Sequence, residues 1–166
     1  NDAPVLSPLP AVEFDEDGTS SVHLNALVDD VDNPDNSLTW RTTGGQNVTV
    51  TVSNGRASFG SGRNWHGTER ITLTVADPGG LEATGTMQAT VKSINDAPQI
   101  SAIPAQRFDE DRSTAVELGP HGSDLDGDAL TWSATSAHAN LRALVSGSTL
   151  NLAAGENWNG GPVNVT

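Results

Sequence analysis

Carboxylates recur in matched sets along this sequence. Asp30-Val31-Asp32 returns as Asp124-Leu125-Asp126, followed there by Gly127 and Asp128, and Phe14-Asp15-Glu16-Asp17 returns as Phe108-Asp109-Glu110-Asp111. Asn1-Asp2-Ala3-Pro4 returns as Asn95-Asp96-Ala97-Pro98, ninety-four residues later. An i, i+2 pair in a loop can turn two carboxylates toward one point, and hard cations such as calcium take about six to eight oxygen ligands, many from alternate loop residues. Asp124, Asp126 and Asp128 have that spacing. They lack the distal glutamate and the flanking helices of an EF-hand, so that reading fails. The competing reading is that Asp and Asn cap their own turns and that a surface carboxylate cluster is solvated charge. Recurrence at one place in two copies, beside an oxygen-rich connector, favours calcium.

The repeat sets the organisation. The 166 residues divide into two copies, 1–94 and 95–166, each large enough for a modest core. Proline fixes its own φ and biases the preceding residue toward extended conformations, so Ala97-Pro98 is a stiff connector. A formal net charge of −13, from 21 acidic against 8 basic side chains, excludes nucleic acid and anionic membrane surfaces as natural partners. There is no cysteine, hence no disulfide or thiolate metal site. A small extracellular domain without disulfides needs another staple, and bound metal is one. No apolar run approaches membrane-spanning length, and no charged-then-apolar leader opens the sequence; any sorting signal lies outside these residues.

The elements that must position the carboxylates are β-strands. In the first copy, alternation marks strands at Val12 and Phe14, Val22 and Leu24, Leu38 and Trp40, Val48 to Val52, Ala57 and Phe59, Ile71 to Val75, and Met87 to Val91. Ser53-Asn54-Gly55 is a strong turn signal. Seven short strands with no competing helical period predict an immunoglobulin-like sandwich. The second copy repeats the plan at Phe108, Val116 with Leu118, Leu130 with Trp132, Leu141 to Val145, Leu150 with Leu152, and Val163 with Val165. Thr166 falls where Thr74 lies in the first copy, so the expected fold is two tandem sandwiches, the second lacking its last strand. Its open edge would make it the less stable copy and able to take a strand from a neighbouring molecule.

With these motifs in order, the whole chain resembles the tandem cadherin-like repeats of bacterial surface proteins, the kind found in RTX-type adhesins. The resemblance rests on Ile94-Asn95-Asp96-Ala97-Pro98, on Glu16-Asp17 and Glu110-Asp111, and on Asp124 through Thr131. It rests also on Asn64-Trp65-His66-Gly67-Thr68 leading into Ile71 to Asp77, with Asn157-Trp158-Asn159-Gly160 as the second copy. It implies calcium between consecutive domains. Carried over by motif, the joint uses Glu16, Asn95, Asp96, Asp124 and Asp126. An equivalent half-site at the other end uses Asn1, Asp2, Asp30, Asp32 and Asp77, with Glu110 serving the following repeat. Where animal cadherins carry Asp-Arg-Glu before the sixth strand, Asn64-Trp65 stands here, with Glu69 as a substitute. The implied partners are calcium ions and neighbouring repeats, with a glycan or protein receptor met through other domains. The implied setting is the cell surface or the secreted fraction, without membrane insertion.

Other chemistries fit less well. The Asn-Trp motifs suit sugar stacking, but their repetition at one position favours a tryptophan packed over a glycine bend. His23, His66, His121 and His138 show no zinc-ligand spacing. Paired carboxylates also serve glycosidases, yet here they fall at the ends of small sandwiches, and serine, histidine and aspartate stand in no triad context; the chain is read as a non-enzyme.

Overall fold

The computed structural model describes all of residues 1–166. It is all-β and divides into two compact units, Asn1–Ile94 and Asn95–Thr166.

Unit 1 contains β1 (Val5–Leu6), β2 (Val12–Asp15), β3 (Thr19–His23), β4 (Val28–Asp29), β5 (Thr39–Thr43), β6 (Val48–Ser53), β7 (Arg56–Ser61), β8 (Gly67–Ala76) and β9 (Glu82–Lys92). One sheet has the order β2-β9-β8-β5 and the other β3-β7-β6, with a small β1-β4 pair beside them. All pairings are antiparallel except β2 with β9, which run parallel from Val12↔Ala89 to Asp15↔Lys92. The two sheets are layers because alternate residues of both enter one core. Val12, Phe14, Ile71, Leu73, Met87, Ala89 and Val91 from the first sheet meet Val48, Ala57 and Phe59 from the second. The β6–β7 hairpin turns on Asn54 (φ 50°) and Gly55 (φ 69°), the two left-handed positions of a type I′ turn.

Each of the seven strands read from alternation is present. The pair β1-β4 was not legible, because two-residue strands among Pro4, Pro8 and Pro10 carry no period. Leu24 is fully buried but lies beyond β3, at the entry to a 3₁₀ turn (Asn25–Leu27).

Unit 2 departs further from expectation. It contains β10 (Gln99–Ile100), β11 (Ser113–Glu117), β12 (Gly122–Ser123), β13 (Leu141–Ser146) and β14 (Thr149–Ala154), in a three-stranded sheet β11-β14-β13 and a β10-β12 pair. Leu118, like Leu24, is buried just past its strand. The segments at Phe108 and at Leu130 with Trp132 are not strands, and Val163 with Val165 contributes only an isolated bridge, Ser136↔Val165. The reason lies in pairing. In unit 1 the strand at Phe14 is held by β9 and the strand at Trp40 by β8, and these 166 residues hold no second copy of β9 and only the first part of a second β8. Phe108, Trp132, Val163 and Val165 still pack, half-buried, against a core of Val116, Leu118, Leu141, Leu150 and Leu152. Unit 2 thus has one ladder-built layer and one layer of packed side chains.

Candidate functional site

The carboxylates of unit 1 gather at opposite ends of the sandwich. β8 fixes the separation: Gly67 pairs with Val91 at one end and Ala76 with Glu82 at the other, and ten residues of strand span about 33 Å.

At the Ala76 end stand Asn1, Asp2, Asp30, Asp32 and Asp77, joined by hydrogen bonds. Asn1 Nδ2 donates to Asp77 Oδ2 at 2.7 Å, and the Asp2 amide donates to Asp32 Oδ2 at 2.6 Å. Asp30 Oδ1 accepts from the amides of Asp32 (2.9 Å) and Asn33 (2.8 Å) and from Asn33 Nδ2 (3.1 Å). Asn33 also reaches Asn1 Oδ1 at 3.4 Å. It is a member the sequence reading missed, although its place directly after the Asp-x-Asp pair was a usable signal. Asp30 Oδ2 is closed to solvent and has no hydrogen-bond partner. A carboxylate oxygen left in that state carries a desolvation cost that a cation would offset.

Asp77 is 5 % exposed. Burial pushes its carboxyl up, but bonds from Asn1 Nδ2 and from the amides of Leu81, Gly79 and Gly80 outweigh it and hold the group below the ordinary carboxylate range. Nowhere do three or more His, Cys, Asp or Glu side chains converge as a ready-made metal cage. The oxygens at this end come from a mixture of carboxylates, amides and backbone.

At the other end of unit 1, Glu16 is 8 % exposed and its Oε1 accepts from the Ile94 amide at 2.7 Å, while Oε2 lies 4.0 Å from His66 Nδ1. In unit 2 the Asp96 amide donates to Asp126 Oδ2 at 2.6 Å, and Asp124 Oδ1 accepts from the amides of Asp126 (2.9 Å) and Asp128 (3.2 Å). These repeat the Asp2–Asp32 and Asp30–Asp32 bonds of unit 1. Asn95 Nδ2 turns to the Asp96 carbonyl at 2.8 Å. Glu110, the counterpart of Glu16, is exposed.

The sandwich, with its carboxylates at the strand ends, is matched by sequence: the profile of bacterial Ig domains fits residues 1–90. The chain belongs to the bacterial Ig domain family. No protein of curated function matches it. Among solved structures it is similar to cadherin domains 1–4 of Protocadherin Gamma B7, at 15% identity and a TM-score of 0.49, over 93% of this chain and 41% of that one. The human Desmocollin-1 ectodomain is similar at 17% identity and a TM-score of 0.44, over 99% of this chain and 34% of that one. SGBP-B of a Bacteroides ovatus mixed-linkage glucan utilization locus, solved with a heptasaccharide, gives 17% and 0.41, over 99% and 43%. The chain spans less than half the length of each, and likenesses this remote assign no ligand.

Three further acidic residues of this bacterial Ig domain protein are fastened to its own backbone: Glu69, and the matched pair Asp17 and Asp111. Glu69, read above as a substitute ligand, is spent on the β5–β6 loop: its carboxylate accepts from the amides of Gln46 (2.9 Å), Asn47 (3.1 Å) and Val48 (2.9 Å) and from Asn47 Nδ2 (3.0 Å). Burial raises its pKa, and the Val48, Asn47 and Gln46 bonds outweigh burial and lower it below the ordinary 4.5. A lowered folded pKa gives stability that is present above the unfolded value and lost as pH falls through the folded one. Amide exchange at Gln46 to Val48 is therefore expected to accelerate, beyond the intrinsic trend, as the pH falls into the range where Glu69 takes up its proton. In Glu69→Gln that acid-dependent step should vanish, and an unchanged profile would refute the latch.

Asp17 and Asp111 are the second case. Both sit at φ 57°, and their Oδ1 atoms accept from the amides of Asn64 (3.1 Å) and Asn157 (3.0 Å), which themselves lie at φ 52°. The bond anchors the Asn-Trp turn in each unit. The tryptophans then pack over glycine: a Cβ at Gly67 would lie 2.9 Å from Trp65 Cζ2, and one at Gly160 2.1 Å from Trp158 Cζ2. Both rings are half-buried against their cores, which leaves little face for a sugar. Asp17→Ala loses the acceptor and places alanine in a left-handed conformation, so a destabilisation of ~1–2 kcal/mol is expected in urea unfolding. Asp17→Asn keeps both features and should cost far less; equal losses would argue against the anchor.

Proposed function

We propose that this chain is a calcium-stiffened extender segment of a bacterial surface or secreted adhesin, akin to the repeats of RTX-type adhesins. In this reading calcium draws together the end of one repeat, the connector and the start of the next. The observation that carries it is the buried, unpartnered Asp30 Oδ2 at the pole where hydrogen bonds link Asn1 to Asp77, Asp2 to Asp32, and Asp30 to Asp32 and Asn33. The donor set fits the ion. Calcium accepts amide, carbonyl and water oxygens beside carboxylates at about six to eight positions, so convergence of three acids is not required.

At the connector, Glu16 is tied to the Ile94 amide and Asp126 to the Asp96 amide, two residues along. A calcium ion there would take Glu16, Asn95, Asp96, Asp124 and Asp126, with Asp128 flanking; Glu110 would serve a following repeat. Binding free energy spent on coordinating two repeats at once becomes free energy of stiffening. Extracellular calcium modules bind in roughly the 0.1–1 mM range, and that order is expected here.

Small-angle scattering in millimolar calcium and then in chelator tests the reading. The expected result is a maximum dimension that is longer and better defined with calcium. Superimposable curves, together with no heat of binding by titration calorimetry, would overturn it. Asp96→Ala should abolish the change while each unit keeps its circular dichroism spectrum.

A further inference from the structure

The two main sheets of unit 1 have four edges, β2 and β5 in one sheet and β3 and β6 in the other. An exposed edge invites strand addition unless charge, proline or a covering segment blunts it. Three of the four are blunted. β2 carries Glu13 and Asp15, β5 carries Arg41 in its ion pair with Glu82, and β3 is crossed by Arg56, whose guanidinium reaches Ser21 and His23. β6, Val48-Thr49-Val50-Thr51-Val52-Ser53, has no charge, no proline and no glycine.

The hairpin fixes which groups this edge offers. Ser53 and Arg56 flank the two-residue turn and exchange both backbone bonds, and bonded pairs alternate from there through Thr51↔Ser58 and Thr49↔Gly60. The N–H and C=O groups of Val48, Val50 and Val52 therefore point away from β7. Glu69 closes the first of these positions by accepting from the Val48 amide at 2.9 Å. Nothing in unit 1 bonds to the outward groups of Val50 and Val52. Their side chains face the core yet stay half-buried, as its outermost row.

We propose that β6 is a homotypic interface, pairing antiparallel with β6 of a second molecule of this chain. The strand's own sequence selects that partner. Val48 to Val52 reads the same in both directions, so an antiparallel second molecule sets valine against valine on the inner face and threonine against threonine on the outer one. With the two-fold axis through Thr51, Val50 of each molecule lies opposite Val52 of the other. The outward groups of both residues are then satisfied without calling on Val48. Charge points the same way. A chain of formal net charge −13 repels its own kind, and β6 is the main-sheet edge at which two molecules meet without charged side chains on the paired strands. The internal repeat supplies a contrast, because β13, at the same place in unit 2, carries the exposed Arg142. An edge this short covers less than the ~1,200 Å² of a stable complex, so the dimer is weak and concentration-dependent. The proposal stands independently of calcium at the poles.

The test uses the full chain in chelator. Sedimentation equilibrium up to about 1 mM protein is expected to show monomer and dimer in exchange. Over the same range, hydrogen exchange at the Val50 and Val52 amides should slow as concentration rises, whereas Thr49 and Thr51, already bonded to β7, are slow throughout. Thr51→Lys and Thr51→Glu each set like charges opposite one another across the axis, and each should weaken dimerisation about fivefold or more. An equimolar mixture of the two variants should restore it as a mixed dimer. Thr51 is exposed, so neither change touches the core. Thr51→Lys also lowers the net negative charge, so a loss there does not come from general repulsion. A chain that stays monomeric, with Val50 and Val52 exchange independent of concentration, would overturn the proposal. So would a dimer that both variants leave unchanged, or one whose concentration-dependent amides lie in unit 2.

Discussion

Asp30→Asn is expected to abolish the calcium response of unit 1 while leaving the calcium-free protein at least as stable as the parent. The two halves of this result come from the two oxygens of one side chain. Oδ1 accepts from Asp32 and Asn33, and the asparagine carbonyl can do the same. Oδ2 is buried and unpartnered, so as part of a carboxylate it costs stability unless a cation is present. Replacing it with an uncharged amide relieves that cost and removes the ligand. At calcium ten to a hundred times the dissociation constant, binding to the folded state alone contributes roughly 1.4–2.7 kcal/mol. For a domain of this size that raises the melting temperature by about 10 °C. Calorimetric scans of parent and variant, each in calcium and in chelator, give four temperatures. A variant whose calcium shift equals the parent's would remove Asp30 from the site. A variant less stable than the parent in chelator would show that its charge is already compensated.

The second large effect concerns the core. Phe59, on β7 at the centre of the β3-β7-β6 sheet, is 1% exposed and sits in the cluster with Ile71, Leu73, Met87 and Ala89 from the facing sheet. Phe59→Ala is expected to destabilise unit 1 by ~3–5 kcal/mol through lost burial and the cavity left behind. Domains of this size hold about 5–15 kcal/mol in total, so the variant is marginal. Its urea midpoint should fall by roughly 1.5–3 M with the slope unchanged. Ser58→Ala, on the exposed face of the same strand, should change stability by under ~0.5 kcal/mol. In unit 2 five apolar residues are buried, none of them fully, and Leu152→Ala should fall near the low end of the Leu→Ala range, ~2 kcal/mol, because its surroundings are already half-open. A Phe59→Ala loss below ~1 kcal/mol would mean that the two sheets do not enclose a close-packed core.

The parts legible in the sequence are those that depend on local periodicity. Val12 with Phe14, Ile71 to Val75 and Met87 to Val91 alternate because one face of each strand is buried, and their strands are where that pattern placed them. The same reading over-assigned unit 2. Leu130 and Trp132 alternate as Leu38 and Trp40 do, but a strand is defined by its partner, and alternation does not say whether the partner is there. At the poles, residue type and repetition named Asn1, Asp2, Asp30, Asp32 and Asp77, and in unit 1 pairwise hydrogen bonds link Asn1 to Asp77, Asp2 to Asp32 and Asp30 to Asp32. What was illegible was the division of labour among acids. Glu69 looks like a ligand in a string of letters, yet backbone amides brought close by the fold consume its oxygens.

The parallel pairing of β2 with β9 has a consequence for load. Only β1 precedes β2, and β9 is the last strand of unit 1; because the two run the same way, the chain enters β2 at one pole and leaves β9 at the other. Tension applied to the two chain ends would draw β2 and β9 past each other along their length. The ladder from Val12↔Ala89 to Asp15↔Lys92, with the Glu16–Lys92 and Glu16–Ile94 bonds at its end, would then be strained together in shear. An antiparallel hairpin held by its two tails would instead peel one bond at a time. Tension on the two ends of unit 1 is thus expected to load the whole β2–β9 ladder at once, with Glu16 at the point where it ends.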